Sequence, residues 1–390
     1  MRRILFARSI DTDNLNAQSG NAREILRRWR SHEWRPSVLS FREPDSVVAA
    51  NPNVDIIRLR PDRWWRIKLF EIYQRPFDAI FYPGLHHRAD YLALRARKTL
   101  GRSIPVVSTI EGLSGSASDD TREAFFSLHA GHAVFCQKLA SSHLNRVEWI
   151  YRNSSHIVAI SPFLERMAEA KYGPKVSHLP LGINRSLWRA SARARRSRPF
   201  VVSAGNVRAH KRPETFLEFA RMFPAADFCW YGAGELQTYL AAEAKRLGLA
   251  NVAFPGAIDS TRLADAFASA NIFVLPSKSE GVPKVTQEAA AAGLAQIVYG
   301  YFETPSVVDR ANGFVVWDDA EFRERLGQLL NDPELADRLG RAGTKMADDW
   351  SWDRVAPLWE QRLIELAESR AQPVAAAPRH AGPLGLEQRN

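Results

Sequence analysis

NIFVLPSKSEGVPKVTQEAAAAG, residues 271–293, joins a buried strand to a helix through a short polar turn. The run Ile272 to Leu275 is wholly apolar, as a strand covered on both faces of a parallel sheet requires, and Pro276 and Ser277 close it with turn chemistry. Lys284 to Ala292 supplies the helix, with Gly293 as its stop. Glu280, Gly281, Val282 and Pro283 therefore lie between the carboxyl end of a strand and the amino end of a helix. In an open parallel sheet ligands bind at that edge, and the N–H groups of a helix amino terminus favour a phosphate. Two carboxylates frame the turn: Glu280 in the loop, and Glu288 about one turn into the helix. Carboxylates repel phosphate but bind hydroxyls through charge-assisted hydrogen bonds. A ligand with phosphate in the middle and hydroxylated rings at both ends, which is the form of a nucleotide sugar, suits such a turn. Taken alone, the same two carboxylates also suit a solvated loop and a helix surface.

A chain of 390 residues is long for one average domain and suits two. With 45% hydrophobic and 25% charged residues it has the composition of a globular protein, not a disordered one. Cys136 and Cys229 are the only cysteines, too few for a disulfide framework or a metal site, and they suit a reducing compartment. No apolar run approaches the roughly 18 residues of a membrane span, and MRRILFARSI reads as a first strand, not a signal peptide. The expected location is the cytoplasm, with peripheral attachment to the inner face of the membrane.

Charge is unevenly placed. Residues 1–200 carry 33 Lys and Arg against 18 Asp and Glu, whereas residues 201–390 carry 20 against 25, so the net +10 divides into +15 and −5. The first half is expected to meet something anionic. No zinc spacing, RRM-like aromatic string or lone basic helix points to nucleic acid, and a membrane surface or an anionic acceptor fits better. The segment RLRPDRWWRIKLFEIYQR, residues 58–75, is the sharpest case. Trp65, Leu69, Ile72 and Tyr73 repeat at helical spacing amid Arg58, Arg60, Arg63, Arg66, Lys68 and Arg75. Its apolar face suits packing on a sheet, while the basic fringe and Trp64 suit an anionic leaflet.

Strand signals recur at 2–9, 37–41, 54–59, 79–82, 106–110, 156–160 and 175–181, with helical stretches at 21–30, 65–75, 88–101, 121–152 and 162–171. A second series has strands at 200–204, 228–231, 251–254, 272–275, 294–299 and 313–317. Helices open at Pro213 and Thr304, and others run over 319–330, 333–349 and 352–369. This βαβ rhythm predicts two doubly wound α/β domains. The expected boundaries are 1–185 and 199–350, with a basic linker at 186–198, a closing helix at 351–369 and a disordered tail at 370–390. Ser19 and Gly20 are expected at the first strand-to-helix turn, where glycine lets backbone approach a ligand closely.

The string SEGVPKVTQEAAAAG, residues 279–293, resembles the E-x7-E signature of the retaining glycosyltransferases of family 4, in which an acidic–Gly–x–Pro turn leads into a Glu-Ala-x-Ala helix. The likeness covers most of residues 199–350 and, more loosely, the first half. It implies the GT-B architecture: two Rossmann-like domains facing across a cleft, the second holding a nucleotide-sugar donor and the first a glycan or lipid-linked acceptor. The last helix would cross back onto the first domain. Metal-independent transfer with retention of anomeric configuration, and no cofactor, is implied as well. Lys211 of GNVRAHKRPETF would reach the donor diphosphate; the family's Arg position is Asn206 here, which leaves Arg208 or Arg212 to carry the second charge. Gly20, Gly205, Gly232, Ala257 and Ile258 fall on loops that meet the donor in the family, as do Gly281, Val282, Pro283, Lys284 and Val285. Glu280 would hold sugar hydroxyls and Glu288 the ribose. Glu111 stands where family members carry a histidine facing the donor sugar, and His86, His87, His129 and His132 are candidates for that role. A nucleotide-sugar 2-epimerase or a non-catalytic glycan-binding relative would share this architecture.

Overall fold

The computed structural model describes residues 1–13, 17–82, 88–116, 125–129, 132–139, 141–188, 198–278, 280 and 282–369. Two fully parallel sheets organise them. The first runs in the spatial order Val176–His178, His156–Ala159, Val106–Ile110, Ala79–Tyr82, Arg2–Ser9, Trp34–Ser40, Asp55–Arg58. The second runs Val252–Gly256, Asp227–Tyr231, Phe200–Ala204, Ile272–Leu275, Ala295–Tyr299, Gly313–Val316. Numbered along the chain within each sheet, the order is 3-2-1-4-5-6, with a seventh strand at the end of the first sheet. Successive connections leave strands one and four in opposite directions, and the crevice between their loops is where such sheets bind ligands. Ala79–Tyr82, Phe200–Ala204 and Ile272–Leu275 are buried at every position. Helices cover both faces of each sheet, which is why these strands read as continuous apolar runs.

The two halves are tied by the helix Trp352–Glu368, whose Trp352, Val355, Trp359 and Leu363 pack into the core of the first domain. Trp359 Nε1 donates to the Pro180 carbonyl at 2.8 Å, and Ile183 exchanges backbone hydrogen bonds with Trp350 and Trp352. A Cβ on Gly182 would lie 2.6 Å from the Trp352 ring, so only glycine lets the chain leave the first domain this close to the returning helix.

Three sequence expectations need correction. The helix expected over 121–152 is a helix only at Ser141–Asn153. Before it, Phe125–His129 and His132–Leu139 pair antiparallel, and Leu113–Ser116 joins them in a separate three-stranded sheet. Paired aromatic and β-branched residues, with Gly131 between the two strands in the sequence, favour a hairpin over a helix. No helix opens at Thr304. Asn312 instead accepts from the Val308 N–H and donates to the Ser306 carbonyl, and Arg310 takes a left-handed conformation, so an asparagine-centred turn captures the segment. Ser19 and Gly20 are not in a turn but inside the helix Ala17–Arg27. Ser19 is fully buried, its hydroxyl accepting from Arg8 Nε at 3.3 Å, and among the described residues a Cβ on Gly20 would touch only Arg23, at 3.9 Å, so their packing does not require glycine there. Most of the expected linker and the whole of the expected tail lie outside the described residues.

Candidate donor-binding cleft

The crevice of the second sheet is built from the loops that leave Ala204 and Leu275. Gly205 turns the first loop at φ 135°, its N–H bonded to the Tyr231 carbonyl at 2.9 Å and its carbonyl to Trp230 Nε1 at 3.0 Å. Gly232, at φ 149°, lies so close that a Cβ would stand 1.9 Å from the Gly205 oxygen. The glycines thus let neighbouring strand-end loops nest. The loop then tightens into the 3-10 turn Ala209–Lys211, before Pro213 opens the helix Pro213–Met222.

This turn brings Lys211 Nζ to 2.5 Å from Glu280 Oε1, the two side chains only 15% and 10% exposed. His210 lies beside the pair. Burial lowers its pKa and Lys211 lowers it further, with Glu280 opposing. Arg212, left-handed at φ 53°, turns its guanidinium to Asp319 at 2.8 and 2.6 Å and to the Tyr299 hydroxyl at 2.9 Å. That pairing holds the Asp319 carboxyl down at about 2 and raises the arginine further. Arg208 and Asn206 are exposed on the same loop, and Arg208 meets no carboxylate among the described residues.

Pro283 occupies the cap position of the helix Lys284–Ala291, and among the described residues no side chain caps that amino terminus. Its orphan N–H groups are available to an anion. Thr286, which could have turned toward them, instead bonds the Pro283 carbonyl and the Ser306 hydroxyl, each at 2.6 Å. The first domain closes over this turn. Val282 packs on the first-domain core, Gln287 donates to the Leu181 carbonyl at 3.3 Å, and Lys284 Nζ lies 3.4 Å from Asn21 Oδ1 and 5.6 Å from the Trp352 ring. Val285 packs on the second-domain core.

Two titratable carboxyls face the same ammonium. Glu288 is part-buried, and burial raises its pKa against the pull of Lys284. Glu111, at the carboxyl end of Val106–Ile110, is pushed up to about 7 by burial, countered by Arg8, a hydrogen bond from Gln18, and Lys284. The structure therefore brings Glu111 to the cleft between the domains, together with Arg8, Gln18 and Asn21, none of which carried a motif. Ala257 is exposed and Ile258 part-buried just beyond the strand Val252–Gly256, at the same sheet edge. Gly281, His86 and His87 lie outside the described residues, while His129 and His132 are opposite each other in the hairpin. A hollow of about 810 Å³ is at the other edge of the first sheet. There Lys175 donates to the carbonyls of Tyr151, Arg152 and Ser154, so its charge closes a helix end.

Residues 184–346 match the family described as "Glycosyl transferases group 1". A D-inositol 3-phosphate glycosyltransferase of Streptomyces avermitilis is 36% identical over 117 residues, which is 29% of this chain and 25% of that protein, so the match spans a quarter of the relative's length. Among solved structures, a sucrose-phosphate synthase from Thermosynechococcus elongatus superposes with a TM-score of 0.73 at 18% identity, covering 94% of this chain and 99% of that one. Anabaena HepE in complex with UDP-glucose superposes with a TM-score of 0.69 at 14% identity, covering 94% and 100%.

Proposed function

Because residues 184–346 form a glycosyl transferases group 1 domain on a GT-B scaffold, we propose that this protein transfers a sugar, with retention and without a metal, from a nucleotide-diphosphate sugar to a glycan or lipid-linked acceptor. The observation that carries this reading is the Lys211–Glu280 pair at 2.5 Å, beside the uncapped amino terminus at Lys284 and at the switch point of the second sheet. A diphosphate arriving there competes with Glu280 for Lys211. Once released, the Glu280 carboxylate is free to accept hydrogen bonds from sugar hydroxyls. Glu288, deeper along the same helix, suits the ribose hydroxyls.

As transfer proceeds, the bond from the anomeric carbon to the phosphate oxygen breaks and a bond to the acceptor oxygen forms on the same face. The acceptor's proton passes to the departing phosphate. Negative charge grows on the diphosphate, where Lys211, Arg208 and the helix amino terminus stabilise it. Glu111, close to neutral pH in its titration, sits opposite and can donate or accept a hydrogen bond at the sugar.

UDP-glucose, the ligand of the Anabaena structure, is the first donor to test in a thermal-shift screen. At about 100 times its dissociation constant a true donor adds about 2.7 kcal/mol of stability. No nucleotide sugar raising the melting temperature, or an epimer forming from the donor without acceptor, would overturn the reading. No described helix is long and apolar enough to cross a membrane. The surface around Trp64 is proposed to dock on an anionic leaflet, at about 1 kcal/mol per basic residue. Sedimentation with anionic but not neutral liposomes supports this, and equal or absent binding to both refutes it.

A further inference from the structure

Two adjoining hollows on the first domain share a pair of arginines. The larger, about 770 Å³, opens beyond the carboxyl ends of Arg2–Ser9 and Trp34–Ser40, and Arg8, Asp11, Phe41, Trp65, Arg66 and Arg88 are among its walls. The smaller, about 430 Å³, is lined by Arg66, Phe70, Arg88, Ala89 and Leu92. Between them they form a path whose chemistry changes along its length.

At the inner end Arg8 faces Glu111, which connects the path to the cleft where Lys284 stands. Next come the aromatic faces of Phe41 and Trp65, 5.7 Å apart and edge to face. The carboxylates in the larger hollow are already matched. Asp11 accepts from the hydroxyls of Ser9 and Ser40 and from the N–H groups of Phe41 and Arg42, Asp13 pairs with Arg42, and Asp90 accepts from the hydroxyls of Tyr73 and Tyr82. Arg66 and Arg88 are not matched, since among the described residues neither meets a carboxylate and no acid lines the smaller hollow. Arg66 lies over the Trp65 ring at 5.1 Å.

Beyond the arginines the surface turns apolar. Phe70 is 38% exposed, Leu92 48%, Trp64 51% and Ile67 52%, on and beside the neighbouring helices Trp65–Gln74 and Arg88–Thr99. Phe70 and Leu92 line the smaller hollow, and exposed large apolar side chains there mark a surface that meets an apolar partner. A guanidinium pair is well suited to phosphate, which it can bind through charge-assisted, bidentate hydrogen bonds.

On the transferase reading above, the geometry points to an acceptor with three matching parts. Its polar, hydroxyl-bearing end lies toward Arg8 and Glu111, a phosphate sits between Arg66 and Arg88, and a hydrocarbon chain runs over Phe70 and Leu92. The acceptor is thus a phosphate-linked lipid. A free sugar phosphate leaves the apolar rim unused, and a neutral lipid leaves two guanidinia unpaired. The same rim carries the hydrocarbon chain into the membrane from which it comes.

Calorimetric titration of the full chain with farnesyl phosphate, farnesol and inorganic phosphate tests this assignment. Farnesyl phosphate is expected to bind at least about tenfold tighter than either of the other two, because a hydrogen bond to a charged group and an apolar contact each contribute on that scale. Replacing both arginines (Arg66→Gln with Arg88→Gln) or both rim residues (Phe70→Ser with Leu92→Ser) is expected to weaken it about tenfold or more, with the thermal midpoint unchanged. Farnesol binding as tightly as farnesyl phosphate, inorganic phosphate doing so, or variants that bind like the wild type would each overturn the assignment. Binding of UDP-glucose and other nucleotide sugars is measured separately, and failure of all of them to bind, with farnesyl phosphate binding intact, would sink the donor reading alone.

Discussion

Lys211 Nζ lies 2.5 Å from Glu280 Oε1, so the loop after the first strand of the second sheet is joined to the loop after the fourth, 69 residues on, by one nearly buried ion pair. Removing either partner strands the other charge in a poorly solvated place. Lys211→Ala is expected to cost about 3 kcal/mol of stability, and the double variant with Glu280→Ala less than the sum of the two singles. Urea denaturation of the four proteins measures the coupling. Additive losses would mean that the contact holds nothing together. In turnover, Lys211→Ala is expected to lose roughly 10²-fold or more, by analogy with the loss of one oxyanion donor.

Glu280 and Glu288 are expected to differ in kinetics. Glu288 is set back along the helix and its carboxyl is raised by burial, so Glu288→Ala should weaken donor binding through lost ribose contacts. Glu280 is paired with Lys211 and, on the proposed reading, lies at the reacting end, so Glu280→Ala should lower kcat by misplacing the sugar. Steady-state kinetics that show only a raised KM for both would remove the distinction.

Glu111 and His156 give stability opposite pH dependences. An unfolded chain releases the Glu111 proton near 4.5, while the folded one keeps it to about 7. The folded state therefore loses stability as pH rises between those values, and the favourable contribution is whole only below 4.5. Burial lowers His156 from 6.5 to about 4, aided by Arg362 and Lys175. Its contribution is whole above 6.5 and is lost as pH falls toward 4. The two oppose each other across the shared range. Relative to wild type, Glu111→Gln should thus gain stability as pH climbs from about 4.5 to about 7, by at most roughly 3 kcal/mol and level above that, and His156→Gln should gain less as pH falls toward 4, because water reaches that ring. Denaturation curves at several pH values check both. A wild-type turnover inflection near neutral pH that survives Glu111→Gln would show that Glu111 does not face the reacting sugar.

Gly232→Ala tests whether the nested glycines hold Lys211 in place. The new methyl would meet the Gly205 carbonyl oxygen at 1.9 Å and sit on a backbone at φ 149°. Both effects destabilise, by an expected 2 kcal/mol or more, at about the level of the larger single-residue backbone effects. Donor affinity should fall too, since Gly205 is the residue on which the Lys211 loop turns. A variant with wild-type stability would show that the loops are not packed as described.

Local signals in the sequence were enough for most of the scaffold. Ile272–Leu275, Phe200–Ala204 and Val106–Ile110 announce themselves because a strand buried on both faces tolerates only apolar side chains. Pro213 and the Glu280–Pro283 turn mark where helices begin, for reasons confined to a few neighbouring residues. The helix Ser260–Ala268 has a signal of the same local kind in PGAIDSTR, where Asp259 accepts from the Arg262 N–H. Where periodicity was ambiguous, as over 125–139, hairpin pairing prevailed over a run that also suits a helix.

Charge matching was decided by the tertiary structure alone. Arg208 and Arg212 are four residues apart and equally basic in the sequence, yet one is exposed at the cleft and the other is bound to Asp319, 107 residues away. Glu111 lies far along the chain from Lys284, and no spacing rule connects them. Electrostatic interactions depend on distance and burial, and a folded chain sets both through contacts between residues remote in sequence. The sequence by itself therefore determined the two sheets and the turn that joins Leu275 to Lys284. Which lysine meets which carboxylate, and which arginine meets none among the described residues, was decided by tertiary contacts, within the second domain for Lys211, Arg208 and Arg212 and between the domains for Lys284 and Glu111.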